Sequence, residues 1–148
     1  MTGVEGKVVV IDRPVESVWS FMIDISNMPL WEDSRAEWKQ TSVGPIESGS
    51  TFQSSIRVLG REYKVDLRVV EFEPLRKFAV EAMNGFGKGT RLSYLMEPVQ
   101  GNKTRLSRVT EIQLHGLAKL LSPFQAPIVR RTAGMEANNV KRVVESRE

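Results

Sequence analysis

The stretch that decides the fold is Arg13-Pro14-Val15-Glu16-Ser17-Val18-Trp19, with its continuation through Met28-Pro29-Leu30-Trp31. It directly follows residues 8–12, whose β-branched run predicts a strand. Pro14 suits the first turn of a helix, where its missing N–H is not needed. Glu16 favours the same turn, because the helix dipole attracts a carboxylate there. Pro29 ends this helix, and Met28–Trp31 predicts a second, very short one.

The residue totals exclude several kinds of site. A length of 148 residues is typical of one domain, and we expect a single domain over residues 1–148. The absence of cysteine excludes disulfides, thiolate metal sites and cysteine nucleophiles. The one histidine, His115, precedes Gly116 at a predicted strand end, where an exposed turn is favoured over a proton-transfer role. No spaced acidic loop indicates a bound cation, so we expect neither a metal nor another cofactor.

The charge pattern bears on partners and location. The net charge of +3 is spread along the chain, without the clustered basic face of a nucleic-acid site. No apolar run approaches the roughly 20 residues that a membrane span needs, and the amino terminus does not resemble a signal peptide. We therefore expect a cytoplasmic protein with no nucleic-acid partner and no transmembrane segment. The sequence leaves the oligomeric state open.

The middle of the chain alternates between apolar and charged residues. Tyr63, Val65 and Leu67, for example, alternate with Glu62, Lys64 and Asp66, which is typical of a half-buried strand. The same pattern, bounded by glycine- or proline-containing turns, predicts strands at residues 35–42, 51–59, 62–72, 77–83, 90–97 and 103–114. Successive strands joined by short turns form an antiparallel meander, and one apolar face indicates that one side is covered.

The covering element is a helix near the carboxyl end. Ser122-Pro123-Phe124-Gln125 has the form of a capping box, but Pro127 would interrupt that first turn. We therefore predict that the long helix starts at Pro127. Residues of its apolar stripe recur at helical spacing and are Val129, Ala133, Ala137, Val140 and Val144. Arg130 and Arg131 lie away from that stripe, on a face predicted to be solvated.

Two charged residues fall on faces that are otherwise apolar. Arg108 shares its strand face with Leu106 and Ile112, and Glu136 projects within about 40° of the centre of the helical stripe. Burying either charge alone would be expensive, so a buried charge should have a partner. Either Arg108 and Glu136 pair across the gap between sheet and helix, or a shift in periodicity places one or both in water.

Further residues are candidates for the wall of a cavity between sheet and helix. The apolar candidates are Phe52, Ile56, Val65, Leu67, Phe78, Val80, Leu92 and Val140. The polar candidates, besides Arg108 and Glu136, are Ser54, Tyr63 and Tyr94. Each tyrosine either orients the polar end of a ligand or is a core residue whose hydroxyl reaches the edge. Trp19 and Trp31 either line the mouth of the pocket or attach the short helices to the sheet.

Several motifs together resemble one family over nearly the whole chain. They are Arg13-Pro14-x-x-x-Val18-Trp19, the Asp24 to Trp31 stretch, Gly44-Pro45-Ile46-Glu47-Ser48-Gly49-Ser50, Glu71-Phe72-Glu73-Pro74, Tyr94-x-x-Glu97-Pro98 and Val140-Lys141-x-x-Val144-Glu145. The chain resembles the START-like (SRPBCC) superfamily, in its polyketide cyclase, dehydrase and lipid-transport branch. This resemblance implies an α+β helix-grip fold, in which a curved antiparallel sheet of about seven strands wraps around a long carboxyl-terminal helix. It implies no catalytic residue, because no catalytic signature runs through the superfamily.

Three functions are compatible with this sequence. The leading hypothesis is binding of a hydrophobic or amphipathic small molecule, such as a lipid, polyketide or quinone-like compound, in that cavity. The alternatives are a polyketide cyclase or dehydratase that uses the same cavity, and a non-catalytic partner protein that uses the basic helix face or Phe86. An empty apolar void of about 300 Å³ would cost roughly 7 kcal/mol. We therefore expect the cavity to be filled, or else small.

Overall fold

The fold is described by a computed structural model of residues 3–31, 36–85, 87–113 and 122–147. Its elements are β1 (Gly3–Ile11), α1 (Val15–Met22), a 3-10 turn (Ile25–Asn27), α2 (Met28–Trp31), β2 (Ala36–Gln40), β3 (Thr51–Val58), β4 (Arg61–Glu73), β5 (Lys77–Ala82), β6 (Arg91–Val99), β7 (Lys103–Ile112) and α3 (Ser122–Glu145). The strands form one antiparallel sheet of seven strands in the order β1-β7-β6-β5-β4-β3-β2. The predicted α+β architecture is confirmed.

The sheet has one buried, concave face, and β4 shows how the sequence produces it. Leu67 and Val69 are buried, whereas Asp66 and Arg68, which alternate with them along the strand, are exposed. The register with β5 shifts between Val69 and Glu71, which marks a β-bulge. A bulge bends its strand and increases the local twist, so β4 curves toward the covering helices.

The short helix α1 packs its apolar face against this concave side. The Trp19 ring lies 5.3 Å from that of Phe72 and 5.9 Å from that of Phe78, measured between centroids. Val18 and Met22, at helical spacing, are also buried in this core cluster. The run that decides the fold thus closes one end of the sheet.

Two predicted boundaries are wrong. α3 begins at Ser122, five residues before the predicted start at Pro127. A proline inside a helix removes one hydrogen bond and crowds the carbonyl four residues earlier, but its fixed φ is compatible with a helix, and α3 continues through Pro127. β1 begins at Gly3 instead of residue 8, because it pairs with β7 over its whole length, from Gly3 opposite Ile112. That pairing extends the strand beyond its β-branched residues.

Polar contacts fasten the carboxyl end of α3 to the end of β1. The Arg13 guanidinium donates to the backbone carbonyls of Glu145 and Arg147, two acceptors that a helix end leaves without partners. Lys141 Nζ donates to the Val10 carbonyl at 2.8 Å and to Glu145 Oε2 at 2.6 Å. The Asp12 N–H donates to the same Glu145 oxygen at 2.8 Å. We call Arg13, Lys141 and Glu145 the β1–α3 clasp.

The clasp covers an edge strand, because β1 lies at one end of the sheet order. An uncovered edge offers free backbone groups to other chains, and the helix removes that hazard along β1. In the part of the chain that the structure describes, no helix is long and apolar enough to cross a membrane.

The clasp makes stability depend on pH. The Asp12 N–H and the Lys141 ammonium hold the pKa of Glu145 below its ordinary value. A lowered folded-state pKa contributes stability above the unfolded pKa, and this contribution is lost as the pH falls through the folded pKa. We expect Glu145→Gln to lower the free energy of unfolding by about 1 kcal/mol at neutral pH, because Glu145 is partly exposed.

This difference should begin to shrink as the pH falls below the unfolded-state pKa of a glutamate, about 4.3, and it should vanish below the lowered folded-state pKa. Urea unfolding of both proteins at several pH values measures it. Glu97→Gln, at an exposed position of β6, is the matched control. A difference between wild type and Glu145→Gln that stays constant down to pH 3 would contradict the role of the charge.

Candidate functional site

Arg108 on β7 and Glu136 on α3 form an ion pair in the interior. Arg108 is 4% and Glu136 is 6% exposed, and Arg108 Nε lies 2.7 Å from Glu136 Oε1. The Nε–H does not point in line at that oxygen, so the contact is an ion pair without a hydrogen bond from this atom. Arg108 Nη1 donates to Thr110 Oγ1 at 2.9 Å. The structure thus has both charges buried as a pair, which is one of the two alternatives that the sequence left open.

Tyr94 on β6 joins this pair to the aromatic core. It lies opposite Arg108 in the β6–β7 register, and the Arg108 Cζ atom is 5.7 Å from the centre of its ring. The Tyr94 hydroxyl donates to Glu136 Oε1 over 3.4 Å. The same ring stacks on Phe78 at 4.8 Å and meets the edge of Trp31 at 5.6 Å. One face of Tyr94 thus belongs to the core and its hydroxyl to the polar cluster.

The electrostatics of this cluster keep Arg108 charged. Burial opposes the charge, but the interactions of Arg108 with Tyr94 and Glu136 together outweigh burial and raise the pKa of Arg108. A buried guanidinium with a permanent charge needs its counter-charge at every physiological pH. Glu136 supplies that counter-charge from the helix.

An apolar cavity of about 20 Å³ lies beside the cluster, between the sheet and the first helices. Its wall consists of Met22, Ile23, Met28, Trp31, Trp38, Ile46, Phe52, Val69, Phe78, Val80 and Tyr94. A volume of this size holds about one water molecule. The expectation that the interior is either filled or small is met within the described residues, where the side chains fill most of it.

The candidate wall residues from the sequence fall into three groups. Phe52, Phe78, Val80 and Tyr94 line the cavity. Leu67 and Val140 are buried in the adjoining core, against which Val65 and Leu92 pack. Ser54 and Tyr63 are half-buried on β3 and β4.

Other residues singled out in the sequence lie elsewhere or outside the described part. The side chains of Ile56 and Val129, and the whole of Phe86 and His115, lie outside it. Arg131, predicted to face solvent, is exposed on α3.

Sequence reasoning missed the contribution of the first helices to the cavity. Of the two roles that the sequence leaves open for the tryptophans, Trp19 attaches its helix to the sheet, whereas Trp31 lines the cavity. Met28 and Trp31 are three residues apart on α2 and therefore share a face, a spacing visible in the sequence. Val69 follows the apolar alternation of β4 but was not among the candidate wall residues, and Ile46, from the loop before β3, has no periodic signal.

Solved structures share this architecture from end to end. A protein from Thermus thermophilus superposes with a TM-score of 0.80 at 11% identity, over 97% of this chain and 98% of that one. The Zhui aromatase/cyclase from Streptomyces sp. R1128 superposes with a TM-score of 0.79 at 14% identity, over 98% and 94% of the two chains. Ara h 8.0201 gives 0.70 at 8% identity, over 98% and 99%. These likenesses establish the predicted helix-grip fold.

The family follows from the sequence match. Residues 1–145 match the family described as polyketide cyclase / dehydrase and lipid transport, and the protein belongs to that family. No curated protein matches the sequence. The fold of this family is a ligand-binding fold, and here its concave side carries the cavity and the polar cluster.

Removing one partner of the buried pair should be costly. We expect Glu136→Ala to lower the free energy of unfolding by about 3–5 kcal/mol, because it strands the Arg108 charge. The double variant Arg108→Met with Glu136→Leu should recover most of that loss, since it buries no charge. Urea unfolding of all three proteins measures both effects.

The matched control is an ion pair at the surface. Glu73 and Arg76 lie 3.8 Å apart with side chains that are 54% and 77% exposed, so Glu73→Ala should cost less than about 1 kcal/mol. Equal costs for Glu136→Ala and Glu73→Ala would show that the buried pair does not set the position of α3.

Proposed function

We propose that this protein binds a hydrophobic or amphipathic small molecule, such as a lipid, a polyketide or a quinone-like compound, in the cavity between the sheet and the first helices, α1 and α2, beside the ion pair that joins the sheet to α3. Tyr94 is the observation that carries the proposal. Its ring lines an apolar cavity, and its hydroxyl reaches a buried carboxylate that is paired with an arginine. An apolar chamber with a few convergent polar groups is the usual form of a small-molecule site. Membership of a family described by polyketide chemistry and lipid transport supports the same class of ligand.

The size of the cavity adds a requirement. Ligand sites usually enclose about 300 Å³ or more, so the present volume of about 20 Å³ must expand on binding. Two wall residues, Met22 and Met28, are unbranched and can adopt several rotamers. α2 has only four residues, and it is joined to α3 by a hydrogen bond from Asn139 to the Trp31 carbonyl. We infer that the first helices move when the ligand enters.

A ligand that binds the folded state should raise the melting temperature. At a concentration of about 100 times its Kd it adds about 2.7 kcal/mol, which corresponds to roughly 5–10 °C for a chain of this size. Val80→Phe should abolish the shift, because the added ring fills the cavity. Thermal-shift assays with a long-chain fatty acid, a short-tailed quinone and an aromatic polyketide measure this.

The control is Val8→Phe, at a position that is 54% exposed on β1. Its ligand-induced shift should equal that of the wild type. Melting curves without ligand show whether Val80→Phe is folded. The proposal is wrong if no compound of the three classes stabilises the wild type, or if Val80→Phe responds as the wild type does.

A second candidate function is catalysis of polyketide cyclisation or dehydration in the same cavity. The observation that favours it is the contact between the Tyr94 hydroxyl and Glu136, which brings a possible acid and a possible base within hydrogen-bond reach. Tyr94 is the better residue to test, because changing Glu136 also breaks the ion pair.

If the protein is an enzyme, Tyr94→Phe should keep ligand affinity within a few-fold and lower turnover of a poly-β-ketone by about 100-fold or more. Product formation and ligand binding, measured on the same preparation, separate the two functions. Unchanged turnover in Tyr94→Phe would exclude the tyrosine from proton transfer. A wild type that binds the compound without converting it leaves binding as the function.

A further inference from the structure

The Trp31 indole carries a buried donor that the protein does not use. Trp31 is 2% exposed, and its Nε1–H has no hydrogen-bond partner in the described part of the chain. Leaving a buried donor unsatisfied costs about 1–3 kcal/mol. Nearly all buried polar groups are paired in folded proteins, so this donor calls for an explanation. The backbone of Trp31 is paired, because its carbonyl accepts from Asn139.

The surroundings of the indole point to the cavity as the place of the missing acceptor. Trp31 forms part of the cavity wall, beside the ring of Tyr94 at 5.6 Å. The Tyr94 hydroxyl donates to Glu136, and its oxygen does not meet the indole N–H in hydrogen-bond geometry. A buried water normally makes two to four hydrogen bonds, and the remaining wall residues are apolar apart from Trp38. This lining suits one acceptor atom on an otherwise apolar molecule better than it suits a water molecule.

We propose that the Trp31 Nε1–H is the donor that orients the ligand, and that the ligand therefore carries a neutral acceptor oxygen, such as a ketone or quinone carbonyl, at its buried end. This inference rests on the proposed binding function and narrows it. The proposal disfavours a ligand with a free carboxylate in the cavity, because the wall residues that the structure describes include no cationic side chain and a buried anion needs a counter-charge.

The shape of the cavity agrees with an oxygen that enters first. About 20 Å³ accommodates a single oxygen-bearing group, and the rest of the molecule must lie nearer the surface. Three wall residues, Ile23, Trp38 and Ile46, are only partly buried, so they form the side of the cavity that is nearer to solvent. The carbonyl thus occupies the deep end, and the apolar body lies among residues that are closer to solvent.

A matched set of ligands tests the donor. Fluorenone and fluorene share one ring system and differ in a carbonyl group, and fluorene-9-carboxylate adds a charge. We expect the wild type to bind fluorenone about tenfold more tightly than fluorene, since the carbonyl satisfies the buried donor. Fluorene-9-carboxylate should bind more weakly than either. Equilibrium dialysis measures the three affinities.

The variants separate the N–H group from the aromatic ring. Trp31→Phe removes the donor and keeps a ring, so the ratio of fluorenone to fluorene affinity should fall close to one. Trp19→Phe removes an indole from the core outside the described cavity wall, and it should keep the tenfold ratio. A second measurement of ligand binding uses the wild-type protein. The Trp31 indole N–H resonance, one of three in the chain, should shift on addition of fluorenone and not of fluorene.

Each outcome decides between the two proposals. Equal binding of fluorenone and fluorene by the wild type, or a preference that survives in Trp31→Phe, overturns the role of Trp31 and leaves the binding function standing. Failure of all three compounds to bind the wild type counts against both. If Trp31→Phe does not fold, the Trp31 indole resonance of the wild type decides whether the donor binds the carbonyl. That resonance is assigned by elimination, because Trp19→Phe and Trp38→Phe each lack one of the other two indole signals.

Discussion

The charge that Arg108 carries into the interior is the constraint on which the arrangement of this protein depends. An unpaired guanidinium at that depth would cost several kcal/mol, a large part of the net stability of a domain. α3 must therefore lie where Glu136 reaches Arg108, and the 2.7 Å contact shows that it does. The contact between Tyr94 and Glu136 and the clasp at the end of β1 follow from that placement of α3.

The closed interior and the proposed function are two aspects of one energy balance. An empty cavity of about 20 Å³ costs only about 0.5 kcal/mol, whereas a dry void large enough for a ligand would cost several kcal/mol. Without ligand, packing therefore favours a nearly filled core. Met22 and Met28 have unbranched side chains, and α2 has only four residues. Because such side chains adopt other rotamers easily, the cavity should enlarge at low cost on this side. Binding energy must offset the cost of that reopening, so tight binding requires a ligand that fills the enlarged space.

Periodicity and charge accounted for much of the fold and for the polar part of the site. Arg108 and Glu136 were recognisable because each breaks an otherwise apolar face, and a buried charge demands a partner. The full extent of β1 could not be predicted from its own residues, because that extent is imposed by pairing with β7, which is distant in the sequence. The cavity wall was predicted only in part. Strand alternation identifies which side chains face inward, but whether a side chain meets helix or open space depends on curvature, as the bulge at Val69 illustrates. Ile46 reaches the cavity from a loop, for which no periodicity exists.

The position of β1 has a consequence for synthesis on the ribosome. This strand is made before the other strands of the sheet, yet its partners are β7 and the helix whose Lys141 and Glu145 contact Val10 and Asp12. While the intervening strands emerge, β1 has no neighbour, and both of its backbone edges remain available to other chains. The other strands can pair with their sequence neighbours as they appear, since the meander from β2 to β7 is local. The nascent chain therefore has its period of greatest risk of misassembly between the completion of β1 and the emergence of α3. A chaperone that holds the first strand would protect the molecule during that interval.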